Sequence, residues 1–168
     1  GIDASDSSGT SVSSAGDVNG DGYADILIGA PGADSQTGET YVLFGKGESF
    51  GSSVDLGSLG VNDGFILEGI DSGDGSGASV SSAGDVNGDG YSDFLIGADS
   101  ADPNGVNSGE TYVFYGRDFT GSVTQEGTSA GETLTGSSGV DVLVGGGGDD
   151  RLEGAGEADV LTGGEGDD

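Results

Sequence analysis

Oxygen-bearing side chains stand at every second position of two short stretches of the sequence. Residues 17–25 read Asp-Val-Asn-Gly-Asp-Gly-Tyr-Ala-Asp, and residues 85–93 repeat them with one change, Ser92 in place of Ala24. Ca²⁺ takes six to eight oxygens at roughly 2.3–2.6 Å, so a short loop encloses it only if alternate residues point inward. Gly22 stands at the sixth place, where a calcium loop needs a glycine for its sharp turn. The spacing therefore predicts a calcium site in each stretch.

The predicted ligands are four alternating side chains and the main-chain carbonyl of the residue at the seventh place, with water or other groups completing the shell. The alternative is an Asn-Gly or Asp-Gly turn whose acidic residues are merely solvated. The predicted ligand residues are Asp17, Asn19, Asp21, Tyr23 and Asp25 in the first stretch, and Asp85, Asn87, Asp89, Tyr91 and Asp93 in the second.

The residue at the twelfth place distinguishes these stretches from the calcium loops that lie between helices. Such loops carry a carboxylate there, whereas the twelfth places here are Ile28 and Ile96. Both isoleucines lie in apolar, branched runs of strand length, at residues 24–29 and 92–97, and such composition favours β-structure. Each predicted calcium loop therefore joins two strands.

The composition is strongly acidic and rich in glycine. The 168 residues include 39 glycines and 31 acidic residues but only 3 basic ones, which gives a formal charge of −28. Such a charge repels itself unless cations neutralise it. We therefore expect a chain that is weakly folded without metal and ordered with it, because cation binding then contributes to the free energy of folding.

The same composition excludes several classes of partner and of chemistry. Nucleic acid and anionic membrane surfaces require a basic patch, and no apolar run approaches the roughly twenty residues of a membrane span. Histidine and cysteine are absent, so neither the usual imidazole base nor a thiol nucleophile is available. We expect a non-catalytic chain with no nucleic-acid partner and no membrane insertion.

Two long repeats, each containing one calcium loop, fill the first part of the chain. Short strands separated by turn residues are predicted at residues 10–15, 25–30, 40–44 and 65–69, and the first three recur in the second repeat. No segment has helical periodicity over a useful length. A unit of about four strands recurring at this length has the size of a propeller blade.

The repeats resemble a known family. Ser-Val-Ser-Ser-Ala-Gly-Asp-Val-Asn-Gly-Asp-Gly-Tyr, then Leu-Ile-Gly-Ala, then Gly-Glu-Thr-Tyr-Val follow the order of the FG-GAP repeat, found in the propellers of integrin α-subunits and in many bacterial surface proteins. The resemblance implies β-propeller-type blades whose acidic loop binds Ca²⁺ between two strands. Family propellers close with seven blades, however, and two repeats cannot close a ring.

The last part of the chain has a different period. From Gly136 onward a glycine-rich unit recurs every nine residues, with leucine at the eighth place of each complete copy and aspartate at the sixth place: Asp141, Asp150, Asp159 and Asp168. This pattern resembles the RTX calcium-binding nonapeptide, which implies a parallel β-roll. The resemblance also implies cations between turns two repeats apart, so that Asp141 would share sites with Asp159, and Asp150 with Asp168. A flexible Gly/Asp-rich linker is the alternative.

The sequence thus predicts an all-β chain: two FG-GAP repeats over residues 1–118, a join at 119–126 and an RTX β-roll over 127–168. Both chain ends fall inside a repeat, so we expect a piece of a longer polypeptide. The predicted role is a Ca²⁺-stabilised structural or adhesive segment of a bacterial protein that is secreted, by type I secretion, or attached to the cell surface. Unpaired blade edges would let it bind copies of itself; the partner could also be another surface protein or a glycan. The competing hypotheses are a secretion and folding appendage of a larger extracellular enzyme, and a module for glycan or protein recognition.

Overall fold

The chain folds almost entirely into β-structure, as predicted. The structure is a computed structural model and describes residues 3–119, 123–139, 141–156 and 159–166. Within these ranges the strands form two antiparallel sheets followed by two parallel ones. None of the helices in the described ranges has the length and hydropathy of a membrane span.

The first repeat forms a four-stranded antiparallel sheet, which we call blade 1. Its strands lie in chain order, each hydrogen-bonded to the next. They are β1 (Ser11–Gly16), β2 (Asp25–Ala30), β3 (Glu39–Leu43) and β4 (Gly64–Glu68). The four predicted strands are therefore present, with ends that differ by one residue at most from those expected.

The second repeat forms a three-stranded antiparallel sheet, blade 2. Its strands are β5 (Ser76–Gly84), β6 (Asp93–Ala98) and β7 (Glu110–Phe114), again in chain order. The two acidic stretches, hereafter loop 1 (residues 17–25) and loop 2 (residues 85–93), connect β1 to β2 and β5 to β6. The prediction that these loops join strands and not helices is confirmed.

The described residues contain two short helical turns. A single turn, α1 (Ala33–Gln36), follows β2, and a 3₁₀ turn spans Leu56–Ser58. Within α1, Asp34, Ser35 and Gln36 have φ between 46° and 68°, so the turn is left-handed and cannot extend into a helix of L-residues.

The two blades pack face to face around one apolar core. Leu27 and Val42 of blade 1 are fully buried against a cluster that includes Phe94 and Ile96 of blade 2. Aromatic rings fill the outer part of the interface with centroids 4.7–6.2 Å apart, within the range of favourable ring pairs. These rings belong to Phe44, Phe65, Phe94, Phe114 and Phe119.

Equivalent residues of the two repeats lie in different environments because the blades stack in one direction. The face of blade 1 that carries Leu27 meets blade 2, whereas blade 2 meets blade 1 through its opposite face, which carries Ile96. Val80 on β5 consequently packs against the shared core. Its counterpart Val12 on β1 lies on the outer side of blade 1 and is 62% exposed.

The last part of the chain winds into a parallel roll. Strands of alternate nonapeptides pair with one another, so that residues 18 positions apart are neighbours. One sheet has the order β12-β10-β8 and the other pairs β11 with β9. The strands are β8 (Gln125–Glu126), β9 (Thr133–Thr135), β10 (Val142–Gly147), β11 (Arg151–Glu153) and β12 (Val160–Glu165).

The leucine at the eighth place stacks along each sheet of the roll. Leu143 is in register with Leu161 in one sheet, and Leu152 with Leu134 in the other. Leu143 is fully buried, whereas Leu161 on the last described coil is 47% exposed. The regular nonapeptide period is therefore the period of a parallel coil, as the RTX resemblance implies.

Both ends of the segment predicted as a join, residues 119–126, are structured. Phe119 packs against rings of both blades, and β8 already pairs with β10 of the roll. Neither the packing of Phe119 nor the pairing of β8 was predicted, because a single aromatic residue and a two-residue strand leave no periodic pattern in the sequence.

The different burial of equivalent valines gives a matched test of the stacking. We expect Val80→Ala to lower the free energy of unfolding by about 1 kcal/mol, because it removes two methyl groups from the inter-blade core. Val12→Ala should change it by less than about 0.5 kcal/mol, although the residue occupies the same place in its repeat. Urea denaturation of both variants in calcium measures the difference, and equal effects would contradict this packing.

Candidate metal sites

The side chain of Asp17 organises loop 1 from its first place. The N–H groups of Gly20 and Asp21 donate to its Oδ1 over 2.8 and 3.1 Å, and that of Gly22 donates to Oδ2 over 2.8 Å. Gly20 and Gly22 have φ of 75° and 83°, a conformation that suits glycine. The chain therefore curls around the carboxylate of its first residue.

The third and fifth places of loop 1 face each other inside this curl. Asn19 Nδ2 donates to Asp21 Oδ2 over 2.9 Å, and the N–H of Asp21 donates to Asn19 Oδ1 over 3.2 Å. The N–H of Tyr23 in turn donates to Asp21 Oδ1 over 2.9 Å. Three of the predicted ligand side chains are thus brought together on one turn.

Asp25, at the ninth place, closes the base of the loop. It is 1% exposed, and its two oxygens accept from the N–H groups of Val18 over 2.8 Å and Gly45 over 2.7 Å. It therefore ties the start of the loop to the end of β3. Burial, reinforced by the nearby carboxylates of Asp21 and Asp17 and opposed by the two hydrogen bonds, raises the pKa of Asp25 to about 7.

Burial acts on the first carboxylate in the same way. It raises the pKa of Asp17, an effect that the N–H of Gly22 opposes and the charge of Asp21 reinforces. In loop 1, burial and neighbouring negative charge therefore both disfavour the ionised forms of Asp17 and Asp25.

Loop 2 repeats this geometry. The N–H groups of residues 88, 89 and 90 donate to the carboxylate of Asp85 over 2.7–3.2 Å, and Asn87 Nδ2 donates to Asp89 Oδ2 over 2.8 Å. Asp93 is fully buried and accepts from the N–H groups of Val86 and Gly116 over 2.8 and 2.9 Å. The repeated sequence therefore encodes one loop conformation twice.

The donor set of each loop fits a hard cation. All predicted ligands are oxygens, and carboxylate and carboxamide oxygens are what Ca²⁺ binds in proteins. In the described residues no group of three or more acidic side chains is close enough to hold a metal by itself. The loop oxygens instead accept backbone N–H groups. A cation at either loop would therefore depend on the carboxamide and the main-chain oxygen as well as on the carboxylates.

The single difference between the two loops has a structural role. Ser92 replaces Ala24, and its hydroxyl accepts a hydrogen bond from the N–H of Asp17 over 3.1 Å. The N–H of Ser92 donates to the carbonyl of Asp17 over 2.8 Å, and that of Arg117 to the carbonyl of Val18 over 2.9 Å. Loop 1 is therefore fastened to blade 2 beside loop 2.

The tyrosines at the seventh place have different surroundings. Tyr23 is 48% exposed, whereas Tyr91 is 1% exposed, with its ring against Gly20 of loop 1. Burial, followed by the charge of Glu126 on β8, raises the pKa of Tyr91 well above its usual range. Their main-chain carbonyls, predicted as calcium ligands, remain predictions.

Two aspartates of the roll, Asp150 and Asp159, accept hydrogen bonds from the preceding coil. Asp159 Oδ1 accepts from the N–H of Asp141 over 2.9 Å, and Asp150 Oδ1 accepts from the N–H of Glu132 over 2.8 Å. In both cases the partner lies 18 residues earlier. The structure thus brings together the predicted pair Asp141 and Asp159, while Asp168, the predicted partner of Asp150, lies outside the described residues.

In the described residues, the roll aspartates also lie over the first glycine of their own repeat. A methyl group on Gly136 would lie 2.7 Å from the carboxylate of Asp141, and one on Gly145 would lie 2.6 Å from that of Asp150. Each methyl group would also lie 2.4–2.5 Å from the main-chain carbonyl of the glycine 18 residues later. The first place of these repeats therefore needs glycine because the main chain of the adjacent coil, together with the carboxylate at the sixth place, leaves no room for a side chain.

The loop ends of the blades also contact the roll, a contact that was not predicted from the sequence. A methyl group on Gly22 would lie 2.8 Å from a methyl carbon of Val160, and one on Gly90 would lie 2.8 Å from a methyl carbon of Val144. The sequence does carry a signal for this contact. Beside the leucine, β10 and β12 have Val142, Val144, Val160 and Thr162, whereas β9 and β11 have only Thr133, Thr135, Arg151 and Glu153.

Comparison with known families agrees with this geometry. The sequence profile of the FG-GAP repeat matches residues 8–43 and 76–114. The profile of the RTX calcium-binding nonapeptide repeat, which spans four copies, matches residues 126–161 and 135–168. Both resemblances stated from the sequence are therefore confirmed.

Among known proteins, two animal proteins are similar to part of this chain. Integrin alpha-PS2 of Drosophila melanogaster is 34% identical over 108 residues, and the match covers 60% of this chain and 7% of the relative. Phosphatidylinositol-glycan-specific phospholipase D of Mus musculus is 32% identical over 114 residues, and the match covers 62% of this chain and 12% of the relative. The chain thus spans only a small part of each of these relatives.

The raised pKa of Asp25 predicts how the calcium-free chain responds to pH. Between pH 3.8 and about 7 the folded chain binds a proton at Asp25 that the unfolded chain releases, so this group stabilises less as the pH rises. We expect the free energy of unfolding in chelator to fall more steeply from pH 5 to pH 8 in the wild type than in Asp25→Asn. Urea denaturation at the two pH values measures this, and parallel pH dependences would contradict it.

Proposed function

Because the chain consists of two FG-GAP repeats followed by RTX calcium-binding nonapeptide repeats, we propose that it is a calcium-stabilised, non-catalytic structural or adhesive segment. The parent would be a bacterial protein that is secreted or attached to the cell surface. The observation that carries the proposal is the repeated use of aspartate at chain turns. Asp17 and Asp85 each gather three backbone N–H groups, and Asp159 bridges two coils.

Calcium would act on folding through these carboxylates. Asp25, Asp93, Asp141 and Asp150 are at most 5% exposed, and burying an ionised carboxylate costs free energy unless it is compensated. The ion, when bound, would supply the positive charge that the three basic residues cannot. Binding to the folded chain then stabilises it in proportion to the logarithm of the calcium concentration.

This dependence suits a protein that leaves the cell before it folds. Extracellular modules bind calcium at about 10⁻⁴–10⁻³ M, well above what the cytosol offers. The chain would be exported by type I secretion in a calcium-free, largely unfolded state, and would fold on meeting calcium outside. Both repeat families are typical of extracellular or secreted proteins, which supports this location.

The open edge of blade 2 supports self-association as the adhesive function. In blade 1, β4 covers the outer edge of β3, whereas in the described residues β7 pairs only with β6. Val113 on β7 is 49% exposed, although its counterpart Val42 is fully buried. An exposed strand edge is a template for a strand of another chain, and we propose a second copy of this chain as the partner.

A second role is supported by one of the relatives. The similarity to a protein named phosphatidylinositol-glycan-specific phospholipase D favours a segment attached to an extracellular enzyme, where it would assist secretion and folding. The sequence that flanks this segment in its parent protein distinguishes the two, since a hydrolase motif there would favour the enzyme.

Removal of calcium tests the proposed function directly. We expect excess chelator to lower the melting temperature by more than 10 °C and to weaken the β-sheet signal in circular dichroism, because several buried carboxylates lose their counter-charge. Restoring millimolar Ca²⁺ should restore both signals, and Mg²⁺ at the same concentration serves as the control. Identical spectra and melting curves with and without calcium would refute the proposal.

The open edge gives a second test. The N–H of Gly116 points toward β6, where it donates to Asp93, so by alternation along the strand the N–H of Val113 faces the free edge. We expect Val113→Pro to abolish dimers or larger species in calcium, because proline removes this donor. Sedimentation velocity measures the effect.

The matched control is Val113→Ala, which keeps the N–H group and removes most of the exposed side chain. This variant should still associate if the edge, and not the apolar face, carries the contact. Strictly monomeric sedimentation of the wild type in calcium would refute self-association.

A further inference from the structure

The two predicted calcium-binding parts are in direct contact with each other. Gly22 of loop 1 lies against Val160 on β12, and Gly90 of loop 2 lies against Val144 on β10. Gly147 on β10 also approaches the main-chain carbonyl of Gly88 closely enough that a methyl group there would lie 3.5 Å from it. The outer face of the β12-β10-β8 sheet therefore rests on the tips of both loops. We call this contact the loop–roll interface.

Burial shows that the loop 2 side of this interface excludes water. Side chains alternate between the two faces of a strand, so Leu143 and its neighbour Val144 lie on opposite faces of β10, yet both are fully buried. On the loop 1 side, Val160 is partly buried and Gly22 is exposed. In the described residues of the other sheet, the positions equivalent to these valines carry threonine, arginine or glutamate. The sheet that faces the loops therefore has the more apolar outer face.

Tyr91 joins the three parts at this interface. Its main chain belongs to loop 2, and its ring lies against Gly20 of loop 1, where a methyl group would lie 2.7 Å from the ring carbon Cε1. A methyl group on Gly20 would also lie 3.2 Å from Val123, which precedes β8. The ring is thus buried where loop 1 meets the start of the roll. Tyr23, at the same place in loop 1, has no such cover and is 48% exposed.

The glycines of the loops serve the interface as well as the turn. Gly20, Gly22 and Gly90 have φ between 75° and 89°, which a side chain would strain. Each also lies where an added methyl group would overlap the roll or Tyr91. The loop backbone that would surround the calcium ion therefore also forms the surface on which the roll packs.

We propose that the loop–roll interface makes calcium binding by the two loops and by the roll a single cooperative equilibrium, with Tyr91 as the residue that couples them. This inference rests on the proposed calcium binding of both parts. A loop ordered by its ion presents the packed surface that stabilises the roll. By linkage, a roll ordered by its ions stabilises the loops by the same factor.

Calcium titration of the full chain, followed by hydrogen exchange of separate peptides, tests this coupling. In the wild type we expect peptides that contain β10 and loop 2 to become protected over the same calcium range. In Tyr91→Ala the calcium concentration that half-protects β10 should rise about tenfold, within the usual range of coupling between sites. The substitution leaves every predicted side-chain ligand in place.

Tyr115→Ala is the control, because it removes the same side chain from a place outside both loops and the roll, where Tyr115 is 53% exposed. It should leave the midpoint for β10 unchanged. A second variant, Val160→Ser, weakens the interface from the roll side and leaves the blades intact, so it keeps the test valid if Tyr91→Ala fails to fold. Val160→Ser should also raise the midpoint for β10. In this variant β10 and loop 2 should become protected over separate ranges of calcium concentration.

The outcomes distinguish this inference from the proposed function. If Val160→Ser leaves the midpoint for β10 where Tyr115→Ala leaves it, the two parts bind calcium independently and the coupling is refuted, while the proposed function stands. The same holds if β10 and loop 2 of the wild type respond over separate calcium ranges. If calcium protects neither peptide in the wild type, both proposals are refuted.

Discussion

Buried aspartates determine where this chain turns, and the rest of the structure depends on them. Asp25 and Asp93 each bind two N–H groups from separate segments, and so hold the base of a loop to the end of the third strand. Asp150 and Asp159 bind N–H groups of the preceding coil. In this glycine-rich chain these hydrogen bonds hold separate segments together, as the packing of bulkier side chains does in other proteins. They can do so because one carboxylate accepts hydrogen bonds from several backbone donors at once.

The same aspartates make the fold sensitive to charge. A formal charge of −28 is opposed within the chain by very few cations, and the ion pairs Lys46–Asp63 and Arg151–Glu153 are solvent-exposed, where such pairs contribute little. Burial disfavours the ionised form of the buried carboxylates, and it raises the pKa of Asp25 to about 7. Positive charge from solution would resolve this conflict between burial and ionisation, which is why we propose that calcium binding stabilises the folded chain.

Repetition of sequence does not produce repetition of environment. Val12 and Val80, Tyr23 and Tyr91, and Val42 and Val113 occupy equivalent places, yet one member of each pair is largely exposed and the other is packed. The blades stack in one direction, so each outer face of the pair has a different neighbour. Blade 1 receives β4 as a fourth strand, while beyond blade 2 the chain continues into the roll. Two loops of nearly identical sequence therefore lie in different surroundings.

The sequence by itself determined the all-β class, the strands of blade 1, the two acidic loops and the period of the roll. Each of these is a local property: alternation and turn residues specify strands, and carboxylates at fixed spacing specify a loop. Asp17, Asn19 and Asp21 therefore lie on one turn, and Asp159 accepts the N–H of Asp141, while their binding of calcium stays a prediction. Tertiary structure decided which equivalent residue is buried, that Ser92 and Phe119 fasten the blades together, and that both loops rest on the roll. These contacts join distant segments, and whether a valine such as Val144 faces water or a glycine of another loop depends on how whole sheets pack, which no local pattern records.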